Sequence, residues 1–279
     1  MIDDMFNPHI IPKLMHEAPL TTRYWEAHDD EAKYDLNGGH ERYSKTSITY
    51  NTNLHGYRSP DFNMDRTGKF TIVVVGCSNT KGVGLPLEET YGELFGKSVE
   101  RIVGKEVVVF NLGHGGASNE KIAIRSLRAA EHLRPDFFVT QWSYANRLLA
   151  VRGDGELLDW WSLTEDEMQD PDKHHLKIKY IRDIQTDWND MQRYLNIART
   201  TGMILNKKLP GFIQHMMFRY TETSPMDRFF DPRYTISEFI PNDKILARDH
   251  SHRGWTTHKI VAEKLTERFQ TWWDTKNTA

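Results

Sequence analysis

Three residues of this chain have the types and spacing that nucleophilic catalysis requires. Ser78 lies in TIVVVGCSNTKGVG, residues 71–84, where an apolar, β-branched run ends at Gly76 and the serine follows two positions later. A serine hydroxyl is a weak nucleophile alone and needs a base that a third group orients. The other end of the chain supplies such a pair. In ARDHSHRGWTTHKIVAEKL, residues 247–265, Asp249 and His252 stand three apart, just before an apolar-periodic segment. In a tight turn, that spacing lets the carboxylate accept a hydrogen bond from one imidazole nitrogen and leaves the other free to face Ser78. The same contact fixes the tautomer and raises the basicity of the ring.

Other chemistries fit these residues less well. Five residues separate Gly76 from Gly82 and no Gly-Lys-Ser/Thr follows, so the loop is not a phosphate loop, and G-x-G-x-x-G is absent from it. Thr80 takes the last glycine position of a G-x-S-x-G nucleophile elbow. Cys77 offers a thiol, but a small residue behind a strand end is read as buried packing. His250 and His252 alternate as metal ligands might on an extended segment; their one companion cluster, His174-His175, reads as a solvated helix start, so no metal is expected. His258 reads as a packing residue on a helix face. His114 and His215 end strands, either lining a pocket or sitting as satisfied core histidines. Glu88-Glu89 favours a helix N-terminus, Asp29-Asp30 reads as a solvated surface pair, and at least one tryptophan of each pair Trp160-Trp161 and Trp272-Trp273 reads as a core anchor, with sugar stacking as the alternative.

The elements that must position Ser78, Asp249 and His252 follow from periodicity. Short apolar runs at Thr71–Val75, Glu106–Asn111, Asp136–Trp142 and Gly211–Met217 predict strands covered on both faces. Between them, apolar residues at three- and four-residue steps predict a helix over 118–134, capped by Ser118 or Asn119 and ended by Pro135. A long helix is expected within 176–201, stopped by Gly202, and a closing helix carries Ile260, Val261, Leu265, Phe269 and Trp272. Strands alternating with helices predict an α/β fold with a mostly parallel central sheet covered by helices on both faces. On such sheets ligands collect at the carboxyl ends of the strands, where Ser78 falls. Residues 1–69 are polar, aromatic-rich and weakly periodic. They read as an N-terminal extension packed on the core, with short strands around Ile48 and Tyr57. Residues 70–279 form the main domain, with insertions at about 150–175 and 218–243.

Composition bounds the partners. The chain has 279 residues, 38% of them hydrophobic and 27% charged, a globular balance with room for a full core. A net charge of −3 creates no field that recruits nucleic acid or an anionic membrane. One cysteine excludes an internal disulfide framework and suits a reducing compartment. The start, MIDDMFNPHI, is acidic where a secretory leader is basic and then apolar, and no run approaches the ~20 apolar residues of a membrane span, so a cytoplasmic location is expected.

Gly76-Cys77-Ser78-Asn79-Thr80-Lys81-Gly82-Val83-Gly84 resembles the first block of the SGNH (GDSL-type) hydrolases, G-D-S-x-T-x-G-x-G, with Cys77 in place of the aspartate. Asn111-Leu112-Gly113 resembles the second block. Asp249, His252, His258 and Ala262 match the intervals of the last, with Thr257 where the family has glycine. The third block, G-x-N-D, is matched by Gln141-Trp142-Ser143-Tyr144-Ala145-Asn146-Arg147 only with a one-residue shift that makes Asn146 the asparagine. Tyr50-Asn51-Thr52-Asn53-Leu54-His55-Gly56-Tyr57-Arg58 is similar to a stretch that precedes the serine block in one branch of the family.

The resemblance implies a three-layer, flavodoxin-like α/β fold and a serine ester hydrolase that removes a small acyl group, for example O-acetyl, without a cofactor. Ser78 is then the nucleophile, His252 the base and Asp249 its orienter. The oxyanion is met by the N–H groups of Ser78 and Gly113 and by the Asn146 amide. The implied substrate is a small acyl ester or an O-acylated carbohydrate. Two alternatives stand beside it: an O-acyltransferase with the same triad, and a non-catalytic carbohydrate-binding or structural protein on a decayed SGNH fold.

Overall fold

The computed structural model describes residues 22–26, 29–151, 157–160, 175–216, 235–236 and 245–278. The N-terminal part holds β1 (Thr22–Arg23), the short helix α1 (Glu31–Leu36) and β2 (Tyr50–Asn51), with β1 and β2 paired antiparallel. Then comes the alternation that positions the site. β3 (Phe70–Gly76) leads into a single turn, α2 (Ser78–Lys81), and then α3 (Tyr91–Val103); β4 (Val107–Gly113) is followed by α4 (Asn119–Leu133), and β5 (Phe137–Trp142) by a hairpin of β6 (Leu148–Val151) and β7 (Leu157–Trp160). After α5 (His175–Asp183) and α6 (Asp187–Lys208), β8 (Phe212–Met216) and β9 (Thr235–Ile236) complete the sheet, and α7 (Trp255–Thr278) closes the described chain.

The sheet order is β4-β3-β5-β8-β9, and every pairing is parallel. This is the flavodoxin-like order, with its topological switch point between β3 and β5. Every residue of β3 and β5 is buried, as a strand covered on both faces requires. Side-chain alternation divides the core in two. Val73, Val75, Phe110, Leu112 and Phe138 pack with α4 and α6, while Ile72, Val74, Val109, Phe137 and Ile213 pack with α3 and α7. A third cluster, of Tyr43, Ile48, Tyr50, Leu85 and Ala247, joins the N-terminal part to the loops at the carboxyl ends of the strands.

Three local expectations are corrected. The single helix expected within 176–201 is two, broken at 184–186, where Thr186 caps the second by accepting from the Asn189 N–H at 3.1 Å. Gly202 does not stop a helix; it lies inside α6, where a Cβ would come within 3.0 Å of the Gln214 amide on β8. Tyr57 is not in a strand but closes a turn on Asn53, whose side-chain oxygen accepts its N–H at 3.0 Å. Apart from the β6–β7 hairpin, the start of α5 and β9, the insertions expected at about 150–175 and 218–243 lie outside the described residues.

Candidate active site

The serine is set by the end of β3. Cys77 is extended and buried, and Ser78 opens the turn of α2. As the first residue of a helical turn, Ser78 has no carbonyl behind it to take its N–H, which leaves that donor directed past the strand end. Polar contacts lock the turn from beneath. Thr80 Oγ1 lies 2.8 Å from the Tyr91 hydroxyl and donates to Gln141 Oε1. Asn111 donates its amide to the Thr80 carbonyl at 2.7 Å and accepts the Gly113 N–H at 2.9 Å. Gly113 is required by close approach: a Cβ there would stand 2.2 Å from the Lys81 nitrogen.

The base comes from the turn before α7. The Ala247 N–H reaches the His252 carbonyl at 3.0 Å and the Gly254 N–H reaches the Ile245 carbonyl at 3.0 Å, so the segment folds back on itself. Inside that turn, Asp249 Oδ1 accepts the backbone N–H groups of Ser251 at 3.1 Å and His252 at 3.0 Å. Its Oδ2 accepts from His252 Nδ1. On the far side of the ring, Nε2 lies 2.7 Å from Ser78 Oγ. A carboxylate only accepts, so Nδ1 carries the proton and Nε2 presents a lone pair to the serine hydroxyl. The Asp249 side chain is fully buried while the His252 ring is 13% exposed, so the line runs from the interior to an accessible end. Burial alone would raise the Asp249 pKa. The hydrogen bonds from the His252 ring and from the His252 and Ser251 N–H groups outweigh it and hold the carboxyl below its ordinary value.

The other residues expected at the site are placed differently. The Gly113 N–H is committed to Asn111, so it meets an oxyanion only if that bond breaks. Asn146 is exposed on a turn, and its carbonyl accepts from Gln185 Nε2 at 3.1 Å. His258 is buried and accepts the Tyr91 N–H at 3.0 Å, a packing role. His215 is buried edge-on to Tyr91, its ring centroid 5.2 Å away. Burial holds both rings neutral, with pKa values lowered to about 3. His250 and His252 do not converge as metal ligands would, because His250 Nε2 is paired with the Gly39 carbonyl at 2.9 Å.

Several positioning groups escape a reading of motifs. Asn119 does not cap α4; Ser118 does, and Asn119 instead accepts the Ser143 N–H at 2.8 Å and donates to the Tyr144 carbonyl at 3.1 Å, latching the loop after β5. Arg58 is buried and donates to the carbonyls of Gly82 at 2.9 Å and Leu85 at 2.8 Å, bracing the glycine loop.

No protein-family model and no curated protein matches the chain. Solved structures similar to it include the esterase EstA from Pseudoalteromonas sp., at TM-score 0.45 and 11% identity over 73% of this chain and 98% of that one. Another is the acetylxylan esterase Axe2 from Geobacillus stearothermophilus, at TM-score 0.43 and 12% identity over 73% and 96% of the two chains. A third is the lipase Lip_vut3 from a goat rumen metagenome, at TM-score 0.41 and 13% identity over 71% and 97%.

Proposed function

We propose that this protein is a serine ester hydrolase that releases a small acyl group through an acyl-enzyme. Ser78 Oγ attacks the ester carbonyl carbon as its proton passes to His252 Nε2, and Asp249 stabilises the imidazolium that forms. Collapse of the tetrahedral intermediate breaks the bond to the alkoxy oxygen, and His252 returns the proton to the leaving alcohol. Water then attacks the acyl carbon as its proton passes to His252, and collapse of that second intermediate breaks the bond to Ser78 Oγ, frees the acid and returns the proton from His252 to the serine. The observation that carries this reading is the hydrogen-bonded line Ser78–His252–Asp249 at the carboxyl ends of a parallel sheet, beside the switch point.

The Ser78 N–H is one oxyanion donor. The second is the N–H of Gly113, which reaches the oxyanion once its bond to Asn111 Oδ1 opens. The small acyl group, acetyl in particular, is assigned on the resemblance of residues 76–84 to the first block of the SGNH hydrolases. An O-acylated sugar is the natural substrate class we assign. The test is hydrolysis of p-nitrophenyl acetate against the octanoate. Wild type is expected to prefer the acetate, and Ser78→Ala and His252→Ala are each expected to lose the activity. Equal rates in wild type and both variants would overturn the reading.

A further inference from the structure

We propose that Asp29, Tyr50 and Arg248 are positioning residues that join the serine loop to the Asp249–His252 turn, so that the N-terminal segment is a working part of the active site. The inference rests on the reaction proposed above. Arg248 immediately precedes Asp249 and is completely buried. A guanidinium so placed must have its donors satisfied, and its partners come almost wholly from the N-terminal segment. Nε and Nη2 grip the Asp29 carboxylate as a fork, at 3.0 and 2.6 Å. Nη2 also donates to the Tyr24 carbonyl, and Nη1 to the carbonyls of Ser44 at 3.2 Å and Lys45 at 3.0 Å. The Trp25 ring lies 4.1 Å from the guanidinium carbon.

These contacts close a ring. Asp29 Oδ2 accepts the Tyr50 hydroxyl at 2.5 Å, the Tyr50 oxygen accepts the Gly84 N–H at 2.7 Å, and the Gly84 carbonyl accepts the Arg248 N–H at 2.9 Å. Gly84 ends the glycine loop that begins at Gly76, and Arg248 is one residue from the carboxylate that orients His252. The ring therefore fixes the spacing between two turns that lie 174 positions apart in Ser78 and His252. Stability alone does not call for such a pair: well-packed apolar residues replace buried ion pairs without loss in many proteins. What a forked, fully bonded arginine adds is direction, since five planar donors hold the main chain beside Asp249 in one orientation.

The variants are Asp29→Asn, which breaks the fork, and Tyr50→Phe, which deletes only the bridging hydroxyl and keeps the ring. Ile48→Val thins the same cluster without touching a hydrogen bond. Each is assayed with p-nitrophenyl acetate, and the His252 Nδ1 proton is followed by its far-downfield NMR signal. Tyr50→Phe is expected to lower kcat about tenfold with KM unchanged and to weaken that signal, and Asp29→Asn more strongly, because small misplacements of a catalytic group are costly. Ile48→Val is expected to match wild type in both. Wild-type kcat and an unchanged NMR signal in Tyr50→Phe, or an equal fall of kcat in Ile48→Val, would overturn the inference. A wild-type protein that hydrolyses no ester would overturn the proposed reaction instead, and the NMR comparison alone would then decide the role of the ring.

Discussion

Nε2 of His252 stands 2.7 Å from Oγ of Ser78, two residues separated by 174 positions of chain. Neither element holds that distance alone. β3 and its buried neighbours place the serine turn, and the folded-back segment before α7 places the ring. The contact is therefore sensitive to changes at either end and along the bonds that brace them.

Asp249→Asn keeps the side-chain shape but turns an obligate acceptor into a group that can donate. The imidazole is then no longer held with Nδ1 protonated, and the tautomer with hydrogen on Nε2 cannot take the serine proton. The expected loss in kcat is about a thousand- to ten-thousand-fold, with KM little changed, read by steady-state hydrolysis of p-nitrophenyl acetate. In wild type the lowered Asp249 pKa contributes stability that is complete above the unfolded carboxylate range and is lost as pH falls through the folded value. Asp249→Asn should lack that acid dependence in denaturant titrations.

Asn146→Ala should leave kcat within about twofold of wild type, because loss of a true oxyanion donor costs about a hundredfold or more. The residue is exposed, and the contact it makes through its carbonyl survives the substitution. Asn119→Ala behaves differently, since it unlatches the loop after β5 and leaves the buried Ser143 N–H without its acceptor. Urea unfolding should show a loss of about 1–3 kcal/mol.

His215 makes an acid-stability prediction. Its pKa is lowered by burial to about 3, so between there and the ordinary histidine value near 6.5 the unfolded chain binds a proton that the folded chain refuses. Stability must fall as pH drops below that upper value, by up to about 1.4 kcal/mol per pH unit for this group. Neither ring nitrogen has a hydrogen-bond partner among the described residues. His215→Leu should therefore be close to neutral at pH 7 and should flatten the loss between pH 6 and 4, measured by urea titration at each pH.

Dialysis against a chelator should leave ester hydrolysis unchanged. His252 is engaged by Asp249 and Ser78, and His250 by Gly39, so the alternate rings of this segment serve separate partners. Activity lost to EDTA and restored by zinc would contradict this.

The parallel sheet was legible because apolar runs of five to seven residues between amphipathic helices permit few other arrangements. Ser78, Asp249 and His252 were legible because their geometry depends on short spacings beside element ends. The break at 184–186 was not, since the apolar stripe continues in phase across it and only the Thr186 cap betrays a new start. Motif spacing does not reveal that the Asn111 side chain accepts the Gly113 N–H, nor that Asn146 lies exposed with its carbonyl on Gln185. Asp29, expected on a solvated surface with Asp30, is instead buried against Arg248, because nothing in the sequence joins two charges 219 positions apart.

The most direct test of the proposed chemistry is to treat the protein with a fluorophosphonate and locate the adduct by mass spectrometry of its peptides. We expect one stoichiometric adduct on the peptide carrying Ser78, with labelling slowed about a hundredfold or more in His252→Ala, since the base that activates the hydroxyl is gone. No adduct, an adduct on another residue, or labelling of Ser78 at the same rate without His252 would contradict it.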